Sequence, residues 1–225
     1  MRFLSKILAR LLLTAFLLST APVLAVAQST TTGPQRATSK PYSGDLSIFE
    51  YPDRDEKLQV SRVMDILHIK SGSTVADIGA GSGWFTVRAA KRVGPSGLVY
   101  AVDINPAAVS YINDRAKREH LENIRTIQGH EDDPLLPASS IDSVLLLKTY
   151  HEVGQPVPLL QNLRHALKPG ALVGIIDRNG KGDDHGVESK VVIDEASRAG
   201  LKLVSTYDFV KADREDYFLV FEAMR

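Results

Sequence analysis

Between residues 74 and 177 the chain repeats one unit: a short run of branched apolar residues, then a segment whose apolar positions recur every three to four residues. The runs are TVADIG (74–79), GLVYAVD (97–103), IRTIQG (124–129), IDSVLLL (141–147) and ALVGIID (171–177). Runs this short and this apolar fit strands covered on both faces. Helical patterns fall between them. Residues 85–93 follow the first run, and residues 106–120 carry a stripe of Ala108, Val109, Ile112 and Ala116 behind an Asn105 N-cap and Pro106. Leu159, Leu160, Leu163 and Leu167 form a stripe stopped by Pro169-Gly170, and Val191, Val192, Ala196 and Ala199 form one ended by Gly200. The alternation predicts an α/β fold: a doubly wound, mostly parallel sheet with right-handed crossovers, in three α/β/α layers.

The tail breaks the pattern. LKLVSTYDF and YFLVFEA are joined only by residues 210–216, too short a link for a helical crossover, so they predict a C-terminal antiparallel hairpin that completes a seven-stranded sheet. Ahead of the first run, residues 51–67 read as one amphipathic helix with Leu58, Val63, Ile66 and Leu67 inward, either a plain packing helix or a cover with Tyr51 and Arg54 as lid residues.

Three regions follow from composition. Residues 1–27 have Arg2, Lys6 and Arg10 before an apolar stretch and end in Ala25-Val26-Ala27, which reads as an export signal cut after Ala27, or as an uncleaved anchor. Residues 28–44 are rich in Ser, Thr, Gly and Pro and read as a flexible linker. The folded domain is expected over residues 45–225. Arg2, Lys6 and Arg10 are the leader's only charges, so of 27 basic and 27 acidic residues the remainder keeps 24 and 27, an acidic balance that argues against a nucleic-acid partner. With no cysteine, disulfides and thiolate metal sites are excluded. No membrane contact is expected once the leader is cut, and the expected location is periplasmic or secreted.

VADIGAGSGWFT (75–86) ends the first strand in three glycines followed by the only tryptophan. In such sheets ligands sit beyond the C-terminal strand ends, and glycines there admit a ligand to the backbone. The glycines fall at 79, 81 and 83, and Trp84 stands where the third glycine of a dinucleotide fingerprint would be. No Gly-Lys-Ser or Gly-Lys-Thr follows, which argues against a nucleoside triphosphate loop. Asp103, closing the second strand, is suited to accept hydrogen bonds from both ribose hydroxyls.

Four ordered stretches resemble one family. VADIGAGSG, YAVDIN, GHEDDPLLPASSIDSVLLL and LRHALKPGALVGIID are similar to the successive motifs of the class I, seven-stranded S-adenosylmethionine-dependent methyltransferases, over residues 45–225. The resemblance implies S-adenosylmethionine as cofactor. It implies that Gly79, Ala80 and Gly81, with Gly83 completing the loop, pass under the amino-acid end, that Asp77 orients the ammonium, and that Asp103 holds the ribose. It further implies that Ile104 presses on the adenine, that Glu131 or Asp132 sits near the adenine amino group, and that the backbone carbonyl of Lys148 is the ammonium's other neighbour. His130 stands where many relatives have aspartate.

Acceptor-side candidates lie after the fourth strand in KTYHEV (148–153). His151 titrates near neutrality and is suited to take a proton, Glu152 to orient it or bind a cation, and Tyr150 to wall the pocket; alternatively the three cap and pack the next helix. Asp183, Asp184 and His185 carry metal-ligating atoms, but adjacent ligands on a glycine-rich loop with no partner acids set by spacing read as solvated, and no metal is expected. The acceptor is expected to be a small molecule or a protein. The alternatives are an exported S-adenosylmethionine-binding or nucleoside-binding protein without catalysis, and a nucleotide-dependent oxidoreductase; oligomeric state is not legible.

Overall fold

The structure is a computed structural model and describes residues 36–224. The leader and residues 28–35 of the linker expected over residues 28–44 lie outside them. A seven-stranded sheet has the order β3-β2-β1-β4-β5-β7-β6. Its strands are β1 (Thr74–Ile78), β2 (Leu98–Asp103), β3 (Ile124–Gln128), β4 (Ile141–Leu147), β5 (Leu167–Asp177), β6 (Leu201–Tyr207) and β7 (Tyr217–Ala223). The first five are parallel to one another; β7 runs antiparallel between β5 and β6, so the hairpin is present with its second strand turned inward. The expected doubly wound topology is the one found.

Alternate residues of each central strand feed opposite cores. Val75, Leu145 and Leu147 pack with Leu58, Val63, Trp84, Phe85 and Ile112 on one face, whereas Ala76, Val144 and Leu146 pack with Leu159, Leu160, Leu163 and Val192 on the other. The first face is covered by α1 (Arg54–Leu58), α2 (Val60–Ile66), α3 (Trp84–Val93) and α4 (Pro106–Arg118); the second by α5 (Pro156–Ala166) and α6 (Ser189–Arg198). Period-two alternation on strands between two helix layers is why these runs carry almost no polar residues. Among the described residues no helix is long and apolar enough to cross a membrane.

Three expectations are corrected. The single helix over residues 51–67 is two, because Gln59 takes a left-handed conformation (φ 53°) between α1 and α2. Leu167 leaves the α5 stripe and opens β5, since Pro169 disfavours helical backbone in the residue before it. The tether is not free from Arg36 onward. Arg36 pairs with Glu195 and donates to the Tyr150 carbonyl, while Ser39, buried, donates its amide to the His151 carbonyl and its hydroxyl to the Gly182 carbonyl. Polar bonds hold this strap in place of an apolar face, so its composition concealed the docking.

Candidate active site

The glycine loop is stitched to the end of β2. The amides of Gly79 and Ala80 donate to the Val102 carbonyl at 2.8 and 3.1 Å, and that of Gly81 donates to Asp103 Oδ2 at 2.8 Å. Asp103 Oδ1 accepts from the Asn105 amide at 2.9 Å and the Ile104 amide also bears on the carboxylate, whose two oxygens still keep lone-pair capacity for a ligand. Burial raises the Asp103 pKa against the lowering effect of these amides. Gly79 has φ +70°, and a Cβ there would lie 2.7 Å from Thr149 Cβ. At Gly81 a Cβ would meet the Phe49 ring at 3.6 Å, an ordinary contact.

The loop borders a cavity of about 650 Å³ beyond the C-terminal ends of β1, β2, β4 and β5, where strand order reverses. Asp77, Gly79, Ala80, Gly81, Asp103, Ile104, Glu131, Lys148, His151 and Glu152 all line it. Three expected residues do not. Gly83 is turned against Ile112 of α4 and serves helix packing. Asp132 lies off the cavity, its carbonyl accepting from Asn162 Nδ2, which leaves Glu131 as the acid at that loop. Tyr150 is fully buried, its hydroxyl donating to Glu195 Oε2 at 2.9 Å, because the 3-10 turn Tyr150–Glu152 sends consecutive side chains to opposite sides.

Asp77 is buried and accepts from Thr86 Oγ1 at 2.6 Å. Burial pushes its pKa up to about 7, and the neighbouring Asp103 charge adds to this. The Thr86 hydrogen bonds and the Arg54 charge offset only part of this, so the carboxylate, which borders the cavity, would be favoured in its charged form by a bound cation. Trp84 is stacked between the Arg54 and Arg88 guanidiniums, 4.1 and 4.0 Å from its ring centroid. The tryptophan that breaks the dinucleotide pattern thus anchors the leading segment to α3. Arg54 lines the cavity, whereas Tyr51 turns to Asp213 and Lys148. Glu50 pairs with Arg115 and accepts from Ser82 Oγ, locking the same segment to the glycine loop.

At the other end, His151 Nδ1 lies 2.9 Å from Asp177 Oδ1, and its amide donates to Asp177 Oδ2 at 3.0 Å. Asp177, fully buried at the end of β5, was missed in the sequence, although an acid closing GIID was its visible signal. Burial disfavours the charged ring, but the Asp177 hydrogen bond and charge outweigh it and raise the His151 pKa. Burial also raises Glu152 to about 7. His185 stacks edge-on against His151, with ring centroids 5.7 Å apart. Residues 38–42 of the strap, with Leu46 and Phe49, line the cavity from the N-terminal side.

A doubly wound sheet with a glycine loop, a ribose-suited acid and a cavity at the switch point defines a nucleoside-cofactor enzyme fold. Residues 69–201 match the family model described as methyltransferase domain, and the chain belongs to that family. A SAM-dependent methyltransferase from Aquifex aeolicus superposes with TM-score 0.71 at 25% identity, over 80% of this chain and 98% of its own. Demethylmenaquinone methyltransferases from Staphylococcus carnosus and Listeria welshimeri are 28% and 25% identical over 116 and 114 residues, covering 52% and 51% of this chain and 47% and 48% of theirs. The chain thus spans about half the length of these curated relatives. Its fold is the class I methyltransferase fold, and S-adenosylmethionine is the cofactor of that class.

Proposed function

We propose that this protein transfers a methyl group from S-adenosylmethionine to a small-molecule acceptor bearing an ionisable oxygen, of the quinol class. One observation carries the reading: Asp77, the Gly79–Gly81 backbone and Asp103 share one cavity with His151 and Glu152. The residues fit the cofactor, since Asp103 retains acceptor capacity for a ribose, Asp77 offers a carboxylate to an ammonium, and Gly79 and Gly81 leave bare backbone. Ile104 would cover the adenine, Glu131 would lie near its amino group, and the Lys148 carbonyl would be the ammonium's second neighbour. When bound, the cofactor supplies an electrophilic methyl group on a sulfonium. Methyl transfer asks the protein chiefly for alignment and exclusion of water. His151, with Nδ1 held by Asp177, keeps Nε2 as the lone pair on the acceptor side.

The strap over residues 38–42 favours an acceptor of small size over a protein side chain or a nucleic acid, and the relatives named for demethylmenaquinone favour a quinol. Incubation with methyl-labelled S-adenosylmethionine and a panel of reduced quinones tests this. Label is expected in the organic extract; label only on macromolecules, or none, would overturn the acceptor class. We propose export as well, on the leader-like pattern of residues 1–27, and a reporter joined after residue 44 should then be active only outside the cytoplasm.

The Asp77 pKa carries a further expectation. Its folded value of about 7 exceeds the ordinary carboxylate value, so the folded state holds the extra proton between about pH 4 and 7, and stability falls as pH rises through that window. An ammonium ligand favours the charged form, so S-adenosylhomocysteine affinity should rise from pH 6 to 7.5. Glu152 and Glu215, also raised to about 7, line the same cavity, so the control is Asp77→Asn. That variant should flatten the profile in calorimetry; an unchanged profile would assign the dependence to the two glutamates.

A further inference from the structure

We infer that His151, Glu152 and His185 form a binding site for a divalent transition-metal ion at the acceptor end of the cavity. The inference rests on the proposed function only for which end the acceptor enters. One ligand atom from each residue lies within 4.8 Å of the other two, and His151 Nε2 is 3.9 Å from Glu152 Oε1. All three line the cavity. A cation at about 2.0–2.2 Å from each ligand would separate them by roughly 3–3.5 Å. Closure of that order falls to Glu152 and His185, which are half-buried and exposed, while buried His151 stays fixed.

The surroundings are those of a ligand set as well as of a base. Asp177 holds Nδ1 of His151, which leaves Nε2 as the free lone pair, the arrangement by which a carboxylate behind an imidazole orients it toward a metal. His185 comes from a separate loop that is itself tied down. Arg178 Nε donates to the His185 carbonyl at 2.7 Å, the Gly182 amide donates to the Gly186 carbonyl at 2.8 Å, and the His185 amide donates to Ser39 Oγ at 2.9 Å. The charges of Asp177, Glu152 and Glu215 all bear on the His151 ring and favour a cation there. The neighbouring acids belong to the loop instead: Asp184 Oδ1 accepts from the Lys181 amide, and Asp183 does not reach the cavity. Two imidazoles and one carboxylate select zinc, iron, cobalt or nickel over magnesium or calcium, which prefer oxygen donors. Three protein ligands leave positions open toward the cavity, where an oxygen of the acceptor enters.

The test is titration of the full chain with Co²⁺, read by visible absorption, with Zn²⁺ calorimetry in parallel. The expected result is one equivalent with d–d bands, displaced by Zn²⁺ and not by Mg²⁺, and weakened at least tenfold in His185→Ala and in Glu152→Gln. His185 is exposed, so its removal leaves the core intact, which the melting temperature checks. Absence of Co²⁺ bands, or binding unaffected in both variants, overturns the inference. S-adenosylhomocysteine calorimetry on the same preparation separates the two claims: cofactor heat without a Co²⁺ signal removes the metal site alone.

Discussion

Replacing Asp103 with alanine is expected to weaken S-adenosylhomocysteine binding by about 1–3 kcal/mol, roughly 5- to 150-fold, as charge-assisted hydrogen bonds to the ribose are lost. The structure adds a second consequence. Asp103 also accepts from the amides of Gly81 and Asn105, so the substitution unpins the glycine loop from the end of β2. Asp103→Asn preserves the shape and one oxygen, and should fall between wild type and alanine in both affinity and melting temperature. Equal affinity in wild type and Asp103→Ala would mean that the ribose is held elsewhere.

The larger stability effect belongs to Gly79→Ala. At φ +70° a side chain costs about 1–2 kcal/mol. The new Cβ would also sit 2.7 Å from Thr149 Cβ and 2.9 Å from its Cγ2, overpacking that costs about 1–3 kcal/mol. The sum, roughly 2–5 kcal/mol, corresponds to a melting-temperature loss on the order of 5–15 °C for a domain of this size. Gly81→Ala is the contrast. Its Cβ would meet Phe49 at an ordinary 3.6 Å, so only the conformational cost applies. Adding Thr149→Gly to Gly79→Ala should recover the packing part and leave the backbone part. If Gly79→Ala and Gly81→Ala melt together, Thr149 does not constrain the loop.

What the sequence made legible follows the physics of each feature. The branched runs and glycine punctuation are local signals, and they placed β1 to β4 and the loop at 79–81 within a residue or two. Asp103 and His151 were legible because strand ends in a doubly wound sheet converge on one edge. Facing within a short turn was not legible: Tyr150 and His151 are adjacent, yet one is core and the other borders the cavity, and no periodicity exists over three residues. Partners distant in sequence were also hidden. Asp177 behind His151, Glu195 against Arg36, and the meeting of His185 with His151 depend on β5 lying beside β4, which only the assembled sheet shows. The break at Gln59 escaped notice because the inward positions Leu58 and Val63 suit one helix or two, and the left-handed residue between them carries no glycine to announce it.

The central claim is that the glycine loop and Asp103 seat a sulfonium nucleoside in the cavity that His151 also borders. Isothermal calorimetry of the wild-type chain with S-adenosylhomocysteine tests it most directly. The account predicts saturable one-to-one heat and a matching rise in melting temperature, both reduced in Asp103→Ala. No heat and no thermal shift in a folded wild-type sample would contradict it.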